Sequence, residues 1–220
     1  LTTKAIEGYA AQEQLVGGVE TLFKTSSDTV VGYANDAYKT AGMSANEYME
    51  TVTSFSASLL ASMNNDTAAA AEKANVAITD MSDNANKMGT DISLIQNAYN
   101  GFAKQNYTML DNLKLGYGGT KEEMQRLLDD ASKLSGIKYD ISSYSDVVDA
   151  IHVVQTEMGI TGTTAKEAST TIEGSVSSMS SAWDNWVAGM ADSEANFSQL
   201  TSNLVDSIVT VVGNIAPRVI

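Results

Sequence analysis

The sequence predicts an all-α protein: a compact multi-helix domain of about seven to nine helices with a helical C-terminal extension. Three observations lead to this prediction. The 220 residues include a single proline, and proline breaks helices because it lacks a backbone donor and clashes with the preceding turn. Apolar residues recur at intervals of three or four positions along much of the chain. Glycines and capping residues stand together between these apolar segments, as they do where one helix ends and the next begins.

The predicted helix boundaries follow from these local signals. Glycine closes a helix in the left-handed conformation without steric cost, and four glycines stand where a helix would end: Gly42, Gly89, Gly136 and Gly159. A hydroxyl residue three positions before an acid is the pattern of a capping box, and it occurs four times: Ser44 with Glu47, Thr120 with Glu123, Ser143 with Asp146, and Thr164 with Glu167. Stop and start signals that lie this close predict tight corners between helices.

The Ser-rich run from Ser169 to Ser181 suggests a boundary, because serine and glycine are poor helix formers. It is either a hinge or the small-residue face of a helix packed tightly on a neighbour. We therefore predict a compact core over residues 1–172 and a helical extension over residues 173–220. The chain begins without methionine, and we expect the extension to lead into further sequence.

Composition limits the possible functions. The formal net charge is −14 and there is no cysteine, so disulfides, thiolate nucleophiles and thiolate metal ligands are excluded. After residue 138 only Lys166 and Arg218 are basic, whereas a protein that binds DNA through its phosphates needs an excess of basic residues. We therefore expect no specific binding of nucleic acid. No run of about 18 apolar residues predicts a membrane-spanning helix.

Residues for catalysis or for a cofactor are scarce. His152 is the only histidine, which is too few for a zinc site built from several histidines, and no nucleophile motif lies near it. The acids of the pairs at 122–123 and 129–130 fall on the solvated face of a predicted helix, where Glu122 can pair with Arg126 four residues on. The glycines of 116–121 do not have the spacing of a phosphate-binding loop. We expect no enzyme activity, no cofactor and no metal.

The C-terminal third offers candidate contact residues. Trp183 and Trp186 are three positions apart and therefore share one helical face with Met179, Val187 and Met190. The most apolar stripe of the chain follows, formed by Leu200, Leu204, Ile208, Val211, Val212 and Ile215. Both features are either core packing or a surface for a partner. If they are a surface, the expected partner-contact residues are Trp183, Trp186, Leu200, Leu204, Ile208 and Val212.

Several segments together resemble the core region of phage tail tape-measure proteins. The longest runs from Gln105 to Ser145 and includes YTMLDNLKLGYGGT at 107–120 and KEEMQRLLDD at 121–130. Further segments lie at 41–50, 54–60, 80–89 and 158–168, and a Trp-x-x-Trp pair follows a Ser-rich run at 183–186. The resemblance covers residues 12–217, and its order and spacing are more specific than any one segment.

The resemblance implies a structural protein that acts in tail tube assembly and tail length determination and is ejected during DNA delivery. The implied partners are other copies of itself, the tail tube protein, the tail initiator complex and tail chaperones. The implied location is the lumen of the virion tail, after assembly in the host cytoplasm, with membrane contact only at delivery. Two alternatives stay open: a secreted or surface helical interaction protein, and a fragment of a peptidoglycan hydrolase.

Overall fold

The computed structural model describes residues 1–218, which form ten α-helices and three short 3-10 turns without a β-strand. The helices are α1 (Thr2–Phe23), α2 (Ser27–Thr40), α3 (Ala45–Ser62), α4 (Thr67–Met88), α5 (Ile92–Phe102), α6 (Lys121–Ser135), α7 (Tyr144–Glu157), α8 (Thr163–Thr170), α9 (Ile172–Gly189) and α10 (Phe197–Ile215). The predicted all-α fold is confirmed: nine helices precede a C-terminal helix. Within residues 1–218, no helix combines the length and the apolar character needed to cross a bilayer.

Local signals set most of the corners as predicted. All four stop glycines have a positive φ, between 63° and 73°. Ser44 and Glu47 form a complete capping box, because the Glu47 amide donates to Ser44 Oγ and the Ser44 amide donates to the Glu47 carboxylate. Thr120 and Ser143 also accept the third amide of their helices. The fourth prediction was wrong in position, since α8 begins at Thr163 and Thr164 lies inside its first turn.

The chain divides into two compact units, one formed by Leu1–Glu50 with the chain from Thr164 onward, the other by Thr51–Thr163. We call them the outer unit and the inserted unit, after their order along the chain. The predicted boundary after residue 172 falls in the first turn of α9, and the division into core and extension stays a prediction.

The inserted unit packs α4 against α5 and α7, and α6 against α7. Its largest fully buried side chains come from helices α3 to α5 and from the 3-10 turn that follows them: Phe55, Leu59, Ile78, Met81, Ile95, Tyr99, Phe102, Leu110 and Leu113. The segment at 107–119 has no α-helix and contains only the 3-10 turn Leu110–Leu113. It nevertheless contributes Tyr107, Leu110 and Leu113 to the buried core. Gly119 lies so close to Thr108 that a Cβ there would stand 2.2 Å from its carbonyl oxygen, which requires glycine.

The outer unit is built around α9, which packs against α1, α2 and α10. Small residues allow the close approach: Ala188 of α9 would lie 3.2 Å from a Cβ at Gly8 of α1. The first ten residues of α9 belong to the Ser-rich run, and Ser175, Ser178 and Ser181 are buried. Ser181 Oγ donates to the carbonyl of Gly42. The run was predicted to be either a hinge or a small-residue face of a packed helix, and residues 172–181 form such a helix face.

Candidate interaction surface

Helices α9 and α10 form an antiparallel hairpin within the outer unit. At the turn, Asn196 caps α10 by accepting from the Gln199 amide at 3.1 Å. At the other end, Asn214 Nδ2 donates to the Thr171 carbonyl at 3.1 Å, which ties the end of α10 to the start of α9. Gly189 lets the helices meet closely, since a Cβ there would lie 2.3 Å from Leu200 Cδ1. The hairpin is therefore fixed along its length.

Three aromatic rings lie together near the hairpin turn. Trp183 and Trp186 stack with centroids 5.4 Å apart, and Phe197 lies 5.4 Å from Trp186 on its other side. The Trp186 indole N–H donates to Thr201 Oγ1 at 3.1 Å, so this polar atom is satisfied. Trp183 and Phe197 are nevertheless 45% and 39% exposed. This aromatic group is an ordered apolar surface, since its members hold one another in place.

The apolar stripe of α10 is divided between two faces. Leu204 and Val211 are buried, and Leu204 packs with Tyr38, Ala182, Met179 and Trp186. Ile208 and Val212 are exposed, together with Val205 and Val209. The predicted stripe is therefore partly packing and partly surface, because the apolar arc of α10 is wider than the area that its neighbouring helices cover.

The exposed residues of both helices form one surface, because Trp186 joins them at the turn. On α9 they lie opposite Ser178, Ser181 and Ala188, which are buried. On α10 they lie away from Asp206 and Thr210, which line a small cavity with residues of α2 and α8. We define the outer face of the hairpin as Val176, Met179, Trp183, Trp186, Met190, Phe197, Val205, Ile208, Val209, Val212 and Ile215.

Four of the six predicted contact residues belong to the outer face: Trp183, Trp186, Ile208 and Val212. Leu200 is only partly exposed and packs on the turn at Gly189, and Leu204 is buried. Both are therefore packing residues of the hairpin. Val187, which the periodicity placed with the tryptophans, is also buried. The α10 residues Phe197, Val205 and Val209 were not among the predicted contacts, although Phe197, Thr201, Val205, Ile208 and Val212 keep the helical spacing of a second stripe.

A wide cleft of about 960 Å³ opens beside the hairpin turn within the outer unit. Its polar lining is rich in amides and acids, and Lys4 is the one basic side chain among its lining residues in the described part of the chain. Burial raises the pKa of Asp184 in this lining, and the nearby Glu47 carboxylate adds to the effect while Lys4 opposes it. Two side chains of the lining bind backbone groups. Asn185 Oδ1 accepts from the Ala45 amide, and Asn46 Nδ2 donates to the Gly8 carbonyl.

His152 has a structural partner in the inserted unit. Its Nδ1 lies 2.9 Å from both carboxylate oxygens of Asp80, whose side chain is buried. The hydrogen bond to Asp80 raises the pKa of His152, against the opposing effect of its own burial. Among the described residues, no group of three or more His, Cys, Asp or Glu side chains is arranged to hold a metal ion. His152 is thus the partner of a buried acid on a neighbouring helix.

The same helices carry further buried polar contacts. Asn84 Nδ2 donates to the carbonyl of Leu113 at 3.0 Å and to Gln155 Oε1 at 2.7 Å. Gln155 in turn donates to the Asp80 carbonyl, and the Asp83 carboxylate accepts from the Gly162 amide at 2.6 Å. The polar run in α4 therefore links α7, the preceding 3-10 turn and the loop before α8.

The glycine corner at 116–121 is braced by side chains of α6. Arg126 donates to the Gly116 carbonyl at 2.8 Å and lies over the Tyr117 ring, 4.3 Å from its centroid. The Glu123 carboxylate accepts from the Gly118 amide and from Arg126. The predicted pairing of Arg126 with Glu122 was wrong, because Glu123 is the acid that faces this corner.

We compared the chain with protein-family models, curated proteins and solved structures. None of the three comparisons finds a match. The outer face and the sequence resemblance are therefore the two grounds on which function can be argued.

Proposed function

We propose that this chain is a segment of a phage tail tape-measure protein that serves as a packed docking domain for tail assembly. The resemblance of the segments between residues 12 and 217 is the observation that carries the proposal. The confirmed all-helical fold is compatible with the proposal. The proposed partners are other copies of the chain, the tail tube protein, the initiator complex and tail chaperones.

The corners between the helices favour a docking role for this segment over a role in measuring tail length. A continuous helix rises about 1.5 Å per residue, so a ruler gains most from uninterrupted helix. In this chain the glycine stops at Gly42, Gly89, Gly136 and Gly159 each reverse or redirect the helix, and both units are compact. We therefore assign measurement to uninterrupted helical stretches elsewhere in the parent protein.

The test is an in-frame deletion of codons 44–160 in the phage or prophage that encodes the chain, followed by electron microscopy of the tails. We expect absent or misassembled tails. A fully helical ruler of 117 residues would instead shorten the tail by roughly 180 Å. Such proportional shortening would contradict the docking role while retaining the tape-measure family. Normal tails that lack the protein altogether would overturn the proposal itself.

A secreted or surface helical interaction protein is the second candidate, and the outer face favours it as much as it favours docking. A secretion signal in the full reading frame, with the protein recovered outside the cell, would support this candidate. For the third candidate, a peptidoglycan hydrolase fragment, the corresponding test is loss of turbidity of purified cell walls on addition of the chain.

A further inference from the structure

We propose that the outer face of the hairpin packs against the same face of a second copy of this chain, so that two α9–α10 hairpins form a four-helix bundle with two-fold symmetry. The inference does not depend on the tape-measure proposal, because it rests on the area, spacing and charge of this surface alone.

The area of the outer face matches what a dimer needs. Nine of its eleven members are 36% to 64% accessible, and a continuous set of apolar side chains of this number is on the scale of the roughly 800 Å² that each partner buries in a standard interface. The largest apolar patch on a typical monomer is smaller, at about 300–600 Å². Trp183 and Phe197 provide large aromatic anchors, the residue class that dominates binding energy at interfaces.

The spacing of the outer face indicates a helical partner. On α9 the residues of the outer face recur at 176, 179, 183, 186 and 190, and on α10 at 197, 205, 208 and 212, with the polar Thr201 at the intervening helical position. Steps of three and four place side chains on a seam that interlocks with another helix at a shallow angle. Two hairpins that meet through such seams make the four-helix arrangement.

The lack of charge on the outer face favours a second copy over a strongly charged partner. The residues of the outer face are uncharged, whereas the chain as a whole carries a net charge of −14. Two copies can therefore meet at this face without the like-charge repulsion that opposes contact elsewhere on their surfaces. An anionic lipid surface is disfavoured, because membrane-surface helices flank their apolar face with Lys and Arg, and only Lys166 and Arg218 are basic after residue 138.

A charge placed in the outer face tests the proposal. Ile208→Lys on α10 and Leu94→Lys on α5 form a matched pair, because the two side chains are 44% and 45% exposed and both substitutions add one positive charge. We expect the unchanged chain and Leu94→Lys to be dimers in analytical ultracentrifugation. Ile208→Lys should raise the dissociation constant at least about tenfold, because an unpaired ammonium group would be buried. Circular dichroism checks that both variants are folded.

Cross-linking tests the same contact without adding charge. The chain has no cysteine, so Val212→Cys and Leu94→Cys each introduce a single thiol at an exposed position. A short bis-maleimide should join two copies of Val212→Cys and leave Leu94→Cys uncoupled. The proposal is overturned if the unchanged chain sediments as a monomer at a concentration of about 100 μM. A weak dimer with a dissociation constant of about 10 μM would be largely assembled at that concentration. The proposal is equally overturned by a larger oligomer, by equal weakening in both Lys variants, or by a monomer that binds neutral lipid vesicles.

Discussion

At the scale of single residues, the contact between His152 and Asp80 gives the inserted unit a titratable pair at a buried position. A buried carboxylate is costly unless it is paired or hydrogen-bonded. The His152 ring is 37% exposed, so solvent screens the pair from one side. Asp83 and Asp149 are close enough to raise the pKa of His152 further, and Lys73 forms an ion pair with Asp149. The local field therefore favours the protonated imidazole.

We expect the inserted unit to lose stability as the pH rises. The folded state raises the pKa of His152, so its contribution is fully present below the unfolded pKa of about 6.5 and is lost as the pH passes through the raised folded value. Urea unfolding between pH 5.5 and 8.5 measures this effect. An unfolding free energy that rises over this range would contradict the assignment.

Replacing His152 should expose the cost of the buried acid. His152→Ala leaves Asp80 without its partner, and we expect a loss of about 2 kcal/mol near pH 6, less than for a fully buried pair because the ring is partly exposed. The double variant His152→Ala with Asp80→Asn should recover part of this loss, since an uncharged amide costs less to bury. Urea unfolding of the three variants decides this, and no recovery would mean that the loss comes from packing alone.

At the scale of elements, glycines in helices report how closely their helices approach. Gly174 of α9 lies against α8, where a Cβ would stand 2.5 Å from the backbone carbonyl of Glu167. Gly17 lies within α1 and has no atom within 4 Å of its Cβ position. The same substitution should therefore have opposite effects at the two positions.

We expect Gly174→Ala to destabilise the outer unit by about 1–3 kcal/mol, because backbone atoms cannot move aside as a side chain can. Gly17→Ala should instead stabilise it by about 0.5–1 kcal/mol through its higher helix propensity. Denaturant midpoints of the two variants measure the difference. Stabilisation by both would show that α8 and α9 are not in close contact.

The brace at the glycine corner is a second element-scale prediction. Arg126 lowers the pKa of Glu123 to about 2, with help from the Gly118 amide, so the brace is present at neutral pH and is lost as the pH falls from about 4.5 toward that value. Arg126→Lys removes the planar guanidinium that stacks and donates twice. We expect faster hydrogen exchange at the Gly118 amide with little change in global stability, and unchanged exchange would show that the brace does not order the corner.

At the scale of the whole molecule, the negative charge of the chain governs its contacts with other polyanions. With 27 acidic and 13 basic residues, the chain should not retain duplex DNA at physiological salt, since binding through phosphates requires an excess of Lys and Arg. Electrophoretic mobility of a short duplex with the purified chain measures this. Binding that weakens as salt rises would contradict the prediction.

Local signals in the sequence carried the prediction of helices and corners, because a glycine stop or a capping box acts within a few residues. The predicted starts at Thr120 and Ser143 are examples. The contact between Asp80 and His152 joins residues 72 apart, and no local pattern indicates it. Helical spacing placed Ile208 and Leu204 in one stripe, whereas the position of α9 decides which of them is buried. The sequence therefore predicted an apolar surface in α10 but not its exposed half.

The division of the outer unit between two distant parts of the chain has a consequence for biosynthesis. Residues 51–163 can begin to fold while the ribosome is still adding later residues, because their unit is continuous in sequence. The outer unit must wait for the chain beyond Thr164 and must close a loop of over one hundred residues, which slows its formation. Helix α9, around which that unit is built, is therefore made after the inserted unit, as is α10. Newly made chains would thus expose the proposed self-contacting hairpin only after the inserted unit has been made, which protects that unit from association during its folding.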